Sequence, residues 1–321
     1  MGKAVIAIHG GAGAIARSRL SPEQERAYVD ALSAIVTCGQ ALLAGGGSAL
    51  DAVTEAVRQL EACPLFNAGV GSVFTHQGRH ELDACIMDGR TLEAGAVAGV
   101  SRIRYPILAA RAVLESSPHL LLIGEGAETF AFLQGLEAVE PAFFSTPARR
   151  AQLERAQAAQ QTLLDHDGAP LDSDRKFGTV GAVALDLAGN LAAATSTGGM
   201  TNKLAGRVGD SPIVGAGCYA NNANVAVSCT GTGEVFMRTL AAYDIAALME
   251  YAGLSLQEAS ERVIGEKIPV LGGSGGAIAI DREGNLAMPF TTEGMYRASA
   301  RVGDAPSVGI YREGCGEGGH G

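Results

Sequence analysis

The sequence predicts an α+β protein made of antiparallel hairpins and paired helices, and two observations carry that reading. The segments 180–199 and 276–292 alternate in apolar character on either side of an Asp-x-x-Gly-Asn turn, at Asp186–Asn190 and again at Asp281–Asn285. That pattern is a β-hairpin signature. The helical stretches come in adjacent pairs, where a doubly wound parallel sheet would alternate single helices with single strands.

Taken in order, residues 4–8 ("AVIAI") read as a short buried strand, and the "GGAG" after it as a tight turn lining a site. A helix follows with clear ends. Ser21 is its N-cap, Pro22 its first residue and Gln24 the partner in a capping box, while Gly45 to Gly47 stop it. Its apolar stripe is Tyr28, Ala31, Leu32, Ile35, Val36 and Leu42. A second helix starts at Ser48 and turns Leu50, Val53, Val57 and Leu60 inward. Strand-like segments are expected at 72–75 and 81–87, then a helix of small residues at 106–116. From Ser145 the spacing begins as helical and then fills with Asp, Gly and Pro, so 145–178 is expected to be a mobile connection. Beyond the first hairpin come strands at 213–218 and 225–230, helices at 234–250 and 255–267, and the second hairpin. "GAVALDLAGNLAAATSTGGM" and "GAIAIDREGNLAMPFTTEGM" echo one another, which predicts two similar hairpins that pair within one core. The polar, Gly-rich "REGCGEGGHG" at the end is expected to fray.

Composition narrows the function classes. A chain of 321 residues with 47% hydrophobic and 18% charged residues can form a single domain, 1–321, with a large core. Its net charge of −10 argues against nucleic-acid partners, whose binding needs a basic surface. No unbroken apolar run reaches the roughly eighteen residues of a membrane span, and the opening "MGKAVIAIHGG" has too short an apolar stretch for a signal peptide. Cys38, Cys63, Cys85, Cys218, Cys229 and Cys315 show no C-x-x-C pair or regular spacing, so free thiols in a reducing cytoplasm are expected.

Several candidates for chemistry can be set aside on context. Gly11-x-Gly13-x-x-Ala16 follows a strand, but the next helix begins only near Pro22, so it is not a dinucleotide fingerprint. His76 and His80 are four apart beside Glu81, yet the segment alternates like a strand and would not present them as a helical metal pair; surface positions are expected. The remaining cluster is denser. Thr195, Ser196 and Thr197 close the first hairpin, Arg207 and Asp210 sit in "GRVGDSP", and Thr230 to Gly233 lead from a strand into a helix. Backbone N–H groups at Gly231–Gly233 suit an oxyanion, a contribution of roughly 3–4 kcal/mol per donor. A cation and an anion three residues apart suit a zwitterionic amino acid. Thr179, after Gly178 at the head of the first hairpin, is either an ordinary strand residue or a nucleophile exposed by cutting the chain before it.

The run "GTVGAVALDLAGNLAAATSTGGMTNKLAGRVGDSP", with "GAGCYANN" and "SCTGTGE", resembles the plant-type L-asparaginase/isoaspartyl aminopeptidase family (β-aspartyl peptidases) of N-terminal-nucleophile hydrolases. The likeness runs from "IAIHGGAGAI" through "LEACPLFNAGVGSVF" and "HELDACIMDG" to "GGSGG" and "TEGMYRA". It implies a four-layer αββα sandwich, cleavage between Gly178 and Thr179 into chains 1–178 and 179–321, and a dimer of cleaved protomers. By the family's pattern Thr179 is the nucleophile, supported by Thr197 and Thr230, and Gly231 helps form the oxyanion hole. Arg207 then holds the substrate α-carboxylate and Asp210 its α-amine, with Gly231, Gly233 and Asn67 also lining the pocket. The resemblance implies no catalytic cofactor, but a structural sodium ion held by the carbonyls of Leu60, Glu61, Cys63, Phe66, Ala68 and Val70. The implied reaction is hydrolysis of β-aspartyl dipeptides and of L-asparagine. Rival readings are a glycosylasparaginase and an uncleaved amino-acid binding protein. The physics suits the first: an α-amine with a pKa near ~8 is partly neutral at pH 7, so a freed N-terminal Thr carries its own base.

Overall fold

The computed structural model describes residues 4–13, 15, 20–165 and 178–312. The first helix forms where its caps place it, as α1 (Pro22–Ala44). Ser21 Oγ accepts the Gln24 N–H at 3.3 Å, and Gln24 Oε1 accepts the Ser21 N–H at 3.0 Å. This helix is long and apolar enough on average to cross a membrane, but its Leu32, Ile35, Val36 and Leu43 are spent on the core and Glu23 and Glu25 sit in its first turn. Ser48 caps α2 (Ala49–Ala62) in the same way, accepting from Asp51 N–H at 3.0 Å. The hairpins also form as read. The first is β5 (Val180–Leu185) with β6 (Leu191–Thr197), and the second is β9 (Gly275–Asp281) with β10 (Leu286–Ala287). Their turns are built alike: Asp186 Oδ1 accepts from Ala188 and Asn190 N–H, and Asp281 Oδ1 from Glu283 and Asn285 N–H.

The other strands are β1 (Val5–Gly13), β2 (Leu82–Asp88), β3 (Ala94–Val100), β4 (Leu121–Ile123), β7 (Cys218–Ala220), β8 (Val225–Gly231), β11 (Gly294–Arg301) and β12 (Ser307–Tyr311). The other α-helices are α3 (Pro106–Ser116), α4 (Gly124–Leu133), α5 (Pro147–Asp165), α6 (Gly233–Thr239), α7 (Ala241–Ala252), α8 (Leu256–Glu261) and the short α9 (Ile268–Val270), the last two joined by a π-helical turn, Arg262–Lys267. An eight-stranded sheet has the order β12-β11-β1-β5-β6-β2-β3-β4, and a four-stranded sheet the order β10-β9-β8-β7. Of these pairings only β3 with β4 is parallel.

Period-two alternation makes the layers. In β1, Ile6 and Ile8 face a core shared with Leu32, Val53 and Leu60 of the helices on the outside of the large sheet. Val5 and Ala7 face the other way, with Cys85, Val183 and Ala193, onto Ala226, Ile278 and Ile280 of the small sheet. Val225, Val227 and Cys229 of β8 then pack outward against Phe236, Ile245 and Val263. Helix, sheet, sheet and helix layers follow, the expected αββα sandwich.

Several boundaries differ from the sequence reading, each for a local reason. The glycines after "AVIAI" do not turn: β1 runs through to Gly13, with a register shift between His9 and Gly11. The helix expected at 234–250 is two helices, broken at Leu240 in the left-handed region (φ 49°) with no Gly or Pro to announce it. Most of 213–218 is not strand; β7 starts at Cys218. Segment 72–75 contributes only the bridge from Thr75 to Lys203. The two similar hairpins share the inner core from opposite sheets, stacked face to face with no ladder between them. Within 145–178, α5 carries the initial helical spacing to Asp165; residues 166–177 lie outside the described residues, as does the tail from residue 313 with Cys315. The other five cysteines are free thiols, three of them buried.

Candidate active site

Thr179 lies directly before β5, whose ladder to β6 opens with Val180 opposite Ser196. This register sets the nucleophile candidate beside the end of β6, where Thr197 stands. Thr179 is buried, and its Oγ1 is 3.2 Å from Ser211 Oγ. Thr197 Oγ1 accepts the Gly199 N–H at 2.9 Å, and Thr230 Oγ1 accepts the Ala12 N–H at 3.2 Å. Gly178, Thr179, Thr197, Arg207, Asp210 and Gly231 all line one small cavity. Its volume is about 10 Å³, room for about one water. With Gly178 in its wall, the cavity holds no amino acid.

Glycines make the close approaches possible. A side chain at Gly178 would set its Cβ 2.7 Å from Asn67 Cβ, and one at Gly233 would meet Arg207 Nη2 and Asp210 Oδ1 at 2.9 Å. At Gly231 a Cβ would stand 2.7 Å from Gly275 Cα. Gly233 thus leaves room for Arg207 and Asp210, both of which pack close against it. Arg207 has one edge engaged, its Nε and Nη2 each donating to Glu234 at 2.9 Å. Of the N–H groups at 231–233, that of Thr232 is committed to Ser274 O at 2.9 Å. The oxyanion candidates are therefore fewer than the sequence suggested.

Asp210 is buried, and its Oδ2 has no hydrogen-bond partner among the described residues. Burial raises its carboxyl pKa to about 7, opposed by its own backbone hydrogen bond and by Arg207, and assisted by the charges of Glu234 and Asp83. The sign follows from linkage. Between pH 4 and pH 7, roughly, the folded chain binds a proton the unfolded chain has released, so stability falls as pH rises. The expected loss is at most about 4 kcal/mol across that interval. In an uncut Thr179→Ala background, Asp210→Asn is expected to flatten the dependence of the urea midpoint on pH; equal slopes with and without Asp210 would refute this.

Asn67 sits between the site and the loop after α2. Its Nδ2 donates to Gly199 O at 2.7 Å, its Oδ1 accepts from Val73 N–H at 2.8 Å, and its carbonyl accepts from Gly198 N–H at 3.0 Å. The loop is closed by Val70 N–H donating to Glu61 O at 2.8 Å and is bent at Gly69 (φ 50°) and Gly71 (φ 92°).

Comparison with known proteins adds an independent observation. The chain matches the asparaginase family over residues 2–310. It belongs to that family. Isoaspartyl peptidase of Salmonella typhimurium is 72% identical over 313 residues, spanning 98% of this chain and 100% of that protein. Isoaspartyl peptidase of Escherichia coli is 71% identical, covering 98% of each. The isoaspartyl peptidase/L-asparaginase of Danio rerio is 42% identical over 93% of each chain. The chain is thus an enzyme of the asparaginase family, and its N-terminal-nucleophile hydrolase sandwich is the fold seen here.

Four features of this asparaginase-family chain escaped the sequence reading. Ser211, next to Asp210, is the closest hydroxyl partner of Thr179. Glu234 occupies the Nε edge of Arg207, which only the packing of α6 beside that loop reveals. His9, in the glycine-rich run, is buried and pairs with Ser228 Oγ at 2.8 Å; burial pulls its pKa to about 3, so the ring is neutral. The pair explains Gly181, where a Cβ would collide with Ser228 Oγ and stand 2.6 Å from His9 Nε2. His80, expected at the surface, is buried instead, hydrogen-bonded to Ser72, Val73 and Ser145. His76 pairs with Asn202, and the described residues contain no cluster of three metal-ligating side chains.

Proposed function

We propose that this chain cuts itself before Thr179 and then hydrolyses β-aspartyl dipeptides and L-asparagine, with the freed Thr179 as nucleophile. The observation that carries the proposal is the small cavity whose wall brings together the buried Thr179, the Arg207–Asp210 pair and Gly178. The resemblance of the motifs and the names of the relatives support it.

In cleavage, Thr179 Oγ1 attacks the Gly178 carbonyl carbon. The C–N bond breaks as the C–O bond forms, and the hydroxyl proton passes to the departing amine. Water then hydrolyses the ester and releases the Gly178 carboxylate. In turnover the free α-amine of Thr179 takes the Oγ1 proton as the oxygen attacks the substrate β-carbonyl. The same proton goes to the leaving nitrogen, and water hydrolyses the aspartyl ester. Thr197 and Thr230 orient the nucleophile, while Gly231 supplies an oxyanion donor. Arg207 and Asp210 hold the α-carboxylate and α-ammonium, with Gly231 in the cavity wall, Gly233 packed against both clamp residues, and Asn67 in the wall of the neighbouring cavity.

The sodium ion belongs to the same proposal. Carbonyls alone make a hard-oxygen donor set. Those of Glu61, Leu60 and Cys63 already accept one N–H each, and each retains a second lone pair. The closed, glycine-bent loop therefore fits a cation held by Leu60, Glu61, Cys63, Phe66, Ala68 and Val70. Its effect would be to hold Asn67 in place. A cytoplasmic location and a dimer of cleaved protomers complete the reading.

The test is a substrate panel. β-Aspartyl-leucine and L-asparagine are expected to be hydrolysed and α-aspartyl-leucine not, because only a free α-carboxylate and α-amine fill the clamp and turn the β-carbonyl toward Thr179. Comparable turnover of the α-linked peptide would overturn the assignment. Faster release of N-acetylglucosamine from its asparagine conjugate would favour the glycosylasparaginase reading, and aspartate binding by an intact, inactive chain the binding-protein reading.

A further inference from the structure

A second cavity, of about 500 Å³, lies on the other side of Gly178. Gly178 is the one described residue that lines both cavities. In the proposed chemistry the leaving nitrogen receives its proton from the α-amine of Thr179, so it must lie beside that amine. Before cleavage that place is taken by Gly178. The part of a substrate beyond the leaving nitrogen is therefore directed past Gly178, toward the larger cavity, whose size is ordinary for a small-molecule site.

The lining of this cavity is specific. One wall is aromatic: Tyr28 and Tyr296 stack at 4.1 Å, and Phe66 meets Tyr28 edge-on at 5.8 Å. Arg149, in the first turn of α5, lines the same cavity. Arg149 Nε donates to Gly71 O at 2.6 Å and Nη1 to Gln152 Oε1 at 3.0 Å, which fixes the plane of the guanidinium. Its Nη2 has no partner among the described residues. Arg155 lines the same space, and no Asp or Glu does among the described residues. Burial lowers the Arg149 pKa, a cost that a bound anion would offset.

Resting on the β-aspartyl peptidase reading above, we infer that this cavity is the subsite for the leaving residue. It takes an amino acid with a free α-carboxylate and an apolar side chain, the carboxylate meeting Arg149 and the side chain lying against Tyr28, Phe66 and Tyr296. L-Asparagine, which releases only ammonia, leaves this subsite empty. Arg149 then discriminates among substrates without taking part in bond breaking.

The experiment measures kcat/KM for β-aspartyl-leucine, β-aspartyl-leucinamide and L-asparagine. The cleaved native enzyme is expected to prefer the acid over the amide by about tenfold, the scale of one charge-assisted hydrogen bond. Arg149→Gln is expected to lower the ratio of β-aspartyl-leucine to asparagine turnover by about tenfold and to abolish the preference for the acid. Arg149→Lys, which keeps the charge, should retain part of both. Equal turnover of acid and amide by the native enzyme overturns the inference, as does an Arg149→Gln loss that is the same for all three substrates. The latter would mark Arg149 as a brace for Gly71 alone. Hydrolysis of none of the three would overturn the parent reading, and the subsite with it.

Discussion

Thr179→Ala is expected to remain one chain of 321 residues on a denaturing gel and to hydrolyse neither β-aspartyl-leucine nor asparagine. The native chain should give two bands, Met1–Gly178 and Thr179–Gly321. Attack on the neighbouring carbonyl is intramolecular, and holding the groups together can contribute roughly 7–11 kcal/mol toward the barrier. Removing the hydroxyl removes that reaction entirely, and with it the α-amine that serves as base in turnover. Thr179→Ser should cut more slowly, because losing the γ-methyl frees χ1. The two fragments should copurify under native conditions. β1 belongs to the first fragment and is hydrogen-bonded on both sides by strands of the second, β11 and β5, while β2 pairs with β6 across the same divide. Separating them would break three ladders and open the inner core. An uncut Thr179→Ala chain that still turned over substrate would sink the mechanism.

Arg207→Lys is expected to cost about 1–3 kcal/mol in kcat/KM, roughly 5- to 150-fold, while self-cleavage persists. Arg207 serves two carboxylates in this reading. Its Nε and Nη2 hold Glu234, which leaves the Nη1–Nη2 end for the substrate. The surroundings are cut to the guanidinium: a Cβ at Gly209 would stand 2.8 Å from Nη1, and one at Gly233 2.9 Å from Nη2. A Lys ammonium is a point charge and cannot meet both carboxylates in these geometries. The loss should fall on KM for substrates carrying a free α-carboxylate. An Arg207→Lys protein that stayed uncut would instead mean that Arg207 acts in cleavage.

Local chemistry was enough to set much of this protein. Ser21 with Gln24, Ser48, and the repeated Asp-x-x-Gly-Asn turns each satisfy backbone groups within a few residues, so the helices and hairpins they delimit were legible in order and in place. The candidate site residues stood out as motifs, because Thr179, Arg207, Asp210 and Thr230–Gly233 cluster in short polar runs between apolar strands. β3, β4, β11, β12 and α4 were not legible. "AGAVAGV" has too little side chain to show a period, and in β11 the small Ala298, Ser299 and Ala300 are buried one after another beside Arg297 and Arg301, so no alternation shows. Only the tertiary structure could decide how distant segments meet, since such meetings depend on register and layer packing, which no local pattern encodes. The β5–β6 ladder brings Thr179 near Thr197, α6 carries Glu234 to Arg207, and burial raises the Asp210 pKa. The same packing puts Gly178 between two cavities, the larger of them lined by residues as far apart as Gly10 and Tyr296.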